Sequence, residues 1–175
     1  MTGTILYATA LLPVEDACAR ISRQRQSAAA RNLQELLETS LPPKLSSRSH
    51  SRAAVAATVG DAQILALGID IEFMEQSRPF AALAGFLTKF APAHLGADEF
   101  YRCWTFAEAY FKAFQRLPPD LAIHSVGTQA DPDGTYQLPD GTHLLHRRIA
   151  DCFQLCLVWR LSIETCDLQY ISAPA

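Results

Sequence analysis

The stretch "SRAAVAATVGDAQILALGIDIE", residues 51–72, restricts this chain more than any other. Its small apolar and β-branched residues favour extended backbone, and one break interrupts them at Gly60-Asp61. It reads as two strands joined there. Residues 4–11, "TILYATAL", predict an opening strand of the same kind. Between them the period changes. From about Val14 to Thr39, apolar residues including Val14, Cys18, Ile21, Leu33, Leu36 and Leu37 share one helical face, and the arginines largely avoid it. "SLPPKLSS" ends that helix, because two adjacent prolines cannot continue it.

Downstream, Ser77 and Pro79 open a helix expected to reach about Lys89. A second begins near Asp98 and runs to about Arg116, where "LPPD" stops it. Turn residues at "DPDG" and "PDG" then divide short apolar runs into a β-meander, with "CFQLCLVWRL" as its last strand. The order of elements predicts an α+β fold. A chain of 175 residues, 49% hydrophobic and 19% charged, can bury a core as one domain or as two small lobes. A net charge of −3 gives no overall attraction to nucleic acid or anionic membranes, and no apolar run has membrane-spanning length. "ILYATALLPV" lacks the basic start of a signal peptide, and the five cysteines contain no CxxC pair. These features predict a cytoplasmic protein with free thiols.

Three short pieces carry chemistry. In "LGIDIE", strand alternation sends Ile69 and Ile71 to one face and Asp70 and Glu72 to the other. Two carboxylates about 7 Å apart along a strand can share a hard divalent cation such as Mg²⁺ or Mn²⁺; a solvated edge strand also accounts for them. In "CWTFAEAYFKAF", a helical wheel with Trp104 at 0° puts Phe100, Cys103, Ala107, Phe111 and Phe114 between about −100° and −20°. Glu108 and Lys112 fall at about +40° and +80°, on the margin of that face. They suit the wall of a cleft or a surface i, i+4 ion pair. In "SSRSHSRAAVAA", His50 sits between two serines in a loop-like segment, a composition compatible with phosphate binding or plain surface.

Taken in order, "SHS", "GIDIE" and "W-T-x-x-E-A-Y-x-K-A" resemble the 4′-phosphopantetheinyl transferases of the surfactin-synthetase-activating type. The likeness covers roughly residues 20–160. It implies an α+β pseudo-dimer of two similar lobes, with antiparallel sheets packed against helices. A trimmed N-terminal lobe would span 1–68, on the coenzyme A side, and a C-terminal lobe carrying the metal motifs would span 69–175. The implied activity moves the phosphopantetheine arm of coenzyme A to a serine of an apo acyl or peptidyl carrier protein of fatty acid, polyketide or peptide assembly. Adenosine 3′,5′-bisphosphate is the other product. By the same resemblance Asp70, Glu72 and Glu108 hold Mg²⁺, with Mn²⁺ as the alternative. Glu108 accepts the serine proton, Lys112 meets phosphate oxygens, and His50, Lys44, Arg31 and Arg25 bind coenzyme A. The expected state is a monomer or weak homodimer, with no nucleic-acid or membrane partner.

The chain departs from the family pattern at Ala107, where the family has a lysine directly before the glutamate. The segment after Lys112 carries Gln115 and Arg116 where a glycine is usual, and Ala93 and His94 stand where an acidic residue is often found. A non-catalytic homologue that binds coenzyme A or a carrier protein is therefore the alternative. From other classes, an α+β scaffold would bind no Mg²⁺-dependent ligand, and a Mg²⁺-dependent phosphodiesterase would hydrolyse coenzyme A without a carrier.

Overall fold

The structure is a computed structural model and describes residues 2–13, 21–87, 96–129, 131 and 133–173. β1 (Gly3–Leu11) is followed by α1 (Arg23–Ser40), then β2 (Leu45–Ser51), β3 (Ala54–Gly60) and β4 (Ile64–Phe73). Next come α2 (Phe80–Ala84), α3 (Ala97–Phe114) and α4 (Asp120–Gln129). The chain closes with β5 (Thr135–Gln137), β6 (His143–Ile149), β7 (Phe153–Leu161) and β8 (Cys166–Tyr170). The class is α+β.

Two four-stranded sheets form, ordered β2-β3-β1-β8 and β4-β7-β6-β5. All pairings are antiparallel except β1 with β8, which is parallel. Each sheet contains a strand–helix–strand–strand run in one spatial order. In the first, β1, α1, β2 and β3 give β2-β3-β1; in the second, β4, α3, β6 and β7 give β6-β7-β4, with α2 inserted before α3 and with α4 and β5 after it.

Strand alternation divides the core into layers. On β3, Val55, Ala57 and Val59 pack under α1 with Ala30, Leu33 and Leu37, while Ala54 and Ala56 face the second sheet. On β7, Leu155, Leu157 and Trp159 fill the space between the sheets, while Cys156 and Val158 meet Phe106 and Tyr110 of α3 and Ile123 of α4. The result is four layers, helix on sheet on sheet on helix. α1 is capped by Ser22, whose Oγ accepts from the Arg25 N–H at 3.3 Å, and it buries Gln26, Ala30, Leu33 and Leu37 at helical spacing.

Several sequence expectations change. The strands joined at Gly60-Asp61 both exist, but they lie in different sheets, because β1 and β2 occupy both edges of β3. Asp61 makes the crossing, accepting from the Thr4 N–H and the Gln63 N–H, each at 2.8 Å. α1 begins at Arg23; Val14 and Cys18 of the expected helix lie outside the described residues. The helix expected to reach Lys89 stops at Ala84, and Lys89 itself lies outside the described residues. β7 is not the last strand, since β8 returns to the first sheet beside β1. Phe111, expected inside, is 44% exposed. The boundary drawn between residues 68 and 69 falls within β4. Cys103, Cys152, Cys156 and Cys166 are free thiols. No described helix is long and apolar enough to cross a membrane.

Candidate functional site

The site forms where β2, at the edge of one sheet, faces β4, at the edge of the other, with α3 across them. On β4 the alternation holds. Ile69 and Ile71 enter the core between the sheets, and Asp70 and Glu72 point away from it. α3 can lie close to β4 because residue 68 is glycine. A Cβ there would stand 2.1 Å from the Ala109 carbonyl oxygen and 2.8 Å from the Ala113 nitrogen. This close approach brings Lys112 to the strand, where Nζ donates to Asp70 Oδ1 at 2.8 Å and to the Ile69 carbonyl at 2.9 Å. Glu108, one turn earlier, is exposed on the same side.

The three carboxylates repel one another. Burial raises the Glu72 carboxyl to about 7, with the neighbouring Asp70 adding to the rise and Glu108 contributing less. Partial desolvation beside the strand also raises Glu108, again with Asp70 adding and the Lys112 ammonium opposing. Asp70 is 4% exposed, and its Oδ2 is buried without a hydrogen-bond partner. As placed, no group of three or more His, Cys, Asp or Glu side chains among the described residues is poised to hold a metal ion. The donor set nonetheless suits a hard divalent cation: three carboxylates within electrostatic reach, one presenting a buried, unpartnered oxygen.

β2 is a strand, not the loop expected around His50, because it pairs with β3 over its whole length. Alternation then splits "SHS" between two faces. Ser46, Arg48 and His50 face α1, meeting Gln34 in the first two cases and Ser27 in the last. Ser47, Ser49 and Ser51 face β4. Ser27 Oγ lies 3.3 Å from His50 Nε2. Burial lowers the His50 imidazole, and the Lys112 and Arg23 charges lower it further.

Beside this seam a cleft of about 380 Å³ is lined by Arg23, Gln26, His50, Ser51, Arg52, Glu75 and Arg78, among others. Glu75 Oε2 holds Arg52 at 3.2 Å and Arg78 at 3.7 Å. The Arg52 guanidinium lies 5.1 Å from the Phe73 ring centroid, and that of Arg78 5.6 Å from that of Tyr101. Three guanidinium groups and an imidazole on one concave surface can bind an anion with several oxygens, such as a phosphate.

The structure therefore brings Asp70, Glu72, Glu108 and Lys112 together and puts His50 at the adjoining cleft. It does not bring in the other basic residues named from the sequence. Lys44 precedes β2 at the end opposite His50, about 20 Å away along the strand. Arg25 donates to the Pro13 carbonyl at 3.4 Å. Arg31 lines a separate depression with Gln24, Ser27, Ala28 and Asn32. The cleft uses Arg23, Arg52 and Arg78 instead. Helical phase marks Arg23: it lies two turns before buried Ala30, about 20° away on the wheel, whereas Arg31 stands about 100° off. No family model matches the chain, and no curated protein shows significant similarity to it.

Proposed function

We propose that this chain is a 4′-phosphopantetheinyl transferase. It moves the phosphopantetheine arm of coenzyme A to a serine of an apo acyl or peptidyl carrier protein and releases adenosine 3′,5′-bisphosphate. One observation carries the reading: the mutually repelling carboxylates Asp70, Glu72 and Glu108 adjoin an arginine- and histidine-lined cleft at the seam between two sheets. The shared strand order of the two halves supports a pseudo-dimeric fold, with the substrate in the seam.

The reaction asks for little else. Two regions of negative charge must be held together: the phosphates of coenzyme A and the hydroxyl oxygen as it loses its proton. Arg23, Arg52, Arg78 and His50 bind phosphate oxygens in the cleft. Asp70, Glu72 and Glu108 are the residues that would hold Mg²⁺, which when bound offsets pyrophosphate charge. Glu108 is exposed at the rim, where an incoming serine can reach it, and its raised affinity for protons suits a general base. Attack by the serine oxygen forms one phosphorus–oxygen bond as the bond to the adenosine 3′,5′-bisphosphate oxygen breaks. Lys112 places a positive charge beside these groups while it anchors Asp70.

The test is intact-mass spectrometry of several apo carrier proteins incubated with the chain, coenzyme A and Mg²⁺. A phosphopantetheine-sized gain that a chelator abolishes is the expected result. No gain on any carrier, with coenzyme A binding still measurable, would leave the second reading, a binding-only homologue. The family's lysine is absent at Ala107, and that residue is 1% exposed, so packing accounts for the departure.

A further inference from the structure

Ser47, Ser49 and Ser51 stand at alternate positions on one face of β2, and all three reach β4. They do not do the same thing. Ser47 Oγ accepts from the Ile69 N–H at 3.1 Å, a bond to backbone. Ser49 Oγ donates to Asp70 Oδ1 at 2.7 Å. Ser51 Oγ donates to Glu72 Oε2 at 2.9 Å and accepts from the Phe73 N–H at 3.0 Å.

We propose that Ser49 and Ser51 are positioning residues for a divalent cation. Each hydroxyl engages one oxygen of a carboxylate and leaves the other for the metal. Asp70 shows this most clearly. Its Oδ1 already receives Ser49 and Lys112 Nζ, while its buried Oδ2 has no partner. A carboxylate held on one oxygen turns less freely and presents the other in a fixed direction. Ser51 does the same for Glu72 through Oε2 and ties that side chain to the edge of its own strand. The inference rests on the reading above in one respect, that Asp70 and Glu72 take a cation.

Ser47 supplies the control, since it bridges the same two strands without touching a carboxylate. The experiment titrates Mn²⁺ alone into the full chain and follows bound ion by electron paramagnetic resonance, with circular dichroism to verify folding. Ser49→Ala and Ser51→Ala are expected to weaken Mn²⁺ binding about 10–100-fold. Ser47→Ala is expected to keep wild-type affinity, and Ser49→Thr and Ser51→Thr, which retain the hydroxyl, to restore it. Four results overturn the proposal. They are wild-type affinity in both alanine variants, an equal loss in Ser47→Ala, no rescue by threonine in a folded chain, and no Mn²⁺ binding by the wild type. The transferase reading fails separately. Mn²⁺ binding with the expected serine dependence, but no mass gain on any carrier, removes the transfer reaction and leaves the positioning role standing.

Discussion

Between pH 4.5 and about 7, Glu72 holds a proton in the folded chain that the unfolded chain has lost. A carboxyl raised in this way makes folding less favourable as pH climbs, since its negative charge must then be kept beside Asp70 without full solvation. Glu72→Gln should therefore raise the melting temperature at pH 8, by about 2–4 °C for each kcal/mol relieved. The gain should vanish below pH 4.5, where the group is protonated in both states. Thermal melts of both proteins across that range check it; a gain that does not depend on pH would place the effect elsewhere. Glu108→Gln separates chemistry from stability at an exposed position, with transfer lost and the melting temperature at pH 8 equal or higher. Asp70→Asn should instead cost stability, about 1–3 kcal/mol, because it weakens the ion pair that anchors Lys112. At this scale the sequence was informative wherever a local period governed. Strand phase put Asp70 and Glu72 on the face opposite Ile69 and Ile71, and helix phase put Glu108 and Lys112 on one margin of α3. The family resemblance alone singled them out as a site. Arg52 and Arg78 did not, because their meeting over Glu75 depends on how β2 and β4 approach each other, which no local pattern records.

α3 lies on β4 and β7 of the second sheet and beside α4. A Cβ at Gly68 would collide with the α3 backbone at Ala109 and Ala113, so Gly68→Ala must push the two backbones apart. The expected cost is about 1–3 kcal/mol by denaturant unfolding, with a parallel loss of Mn²⁺ binding as Glu108 and Lys112 move away from Asp70. A stable variant with intact metal binding would show that the contact is not needed. Ala107→Lys belongs to the same element. With Ala107 buried, the longer side chain should lower the melting temperature and bring no gain in coenzyme A affinity; tighter binding would show that the absent charge matters. α3 was legible because its aromatic face repeats strongly. α4 escaped notice although Pro118, Pro119 and Asp120 form a helix-start pattern, because its apolar period is weak. β8 is short and half exposed, and its partner β1 lies at the other end of the chain.

The whole molecule is joined across the division expected from its resemblance. β4 runs through the boundary at residues 68 and 69, and β8 returns from the second half to complete the first sheet. Removing everything after Leu161 deletes β8 and uncovers the edge of β1, so the shortened chain should melt at a lower temperature and aggregate more readily. Scattering during a thermal ramp reads both effects, and an unchanged melt would show β8 to be dispensable. The α+β class was readable from the succession of periods. The layering was not, because period alone does not say which strands share a sheet.

β2 also makes the site intolerant of changes in spacing. Its even-numbered side chains face α1 and its odd-numbered ones face β4, so one inserted residue upstream of Ser49 would exchange their destinations. An imidazole would then face Glu72 and a hydroxyl would face α1, with the amino-acid content of the segment almost unchanged. Drift in length, harmless in most surface connections, is here equivalent to deleting the site. A two-residue insertion at the same place restores the parity and marks the difference between losing a strand and losing its phase.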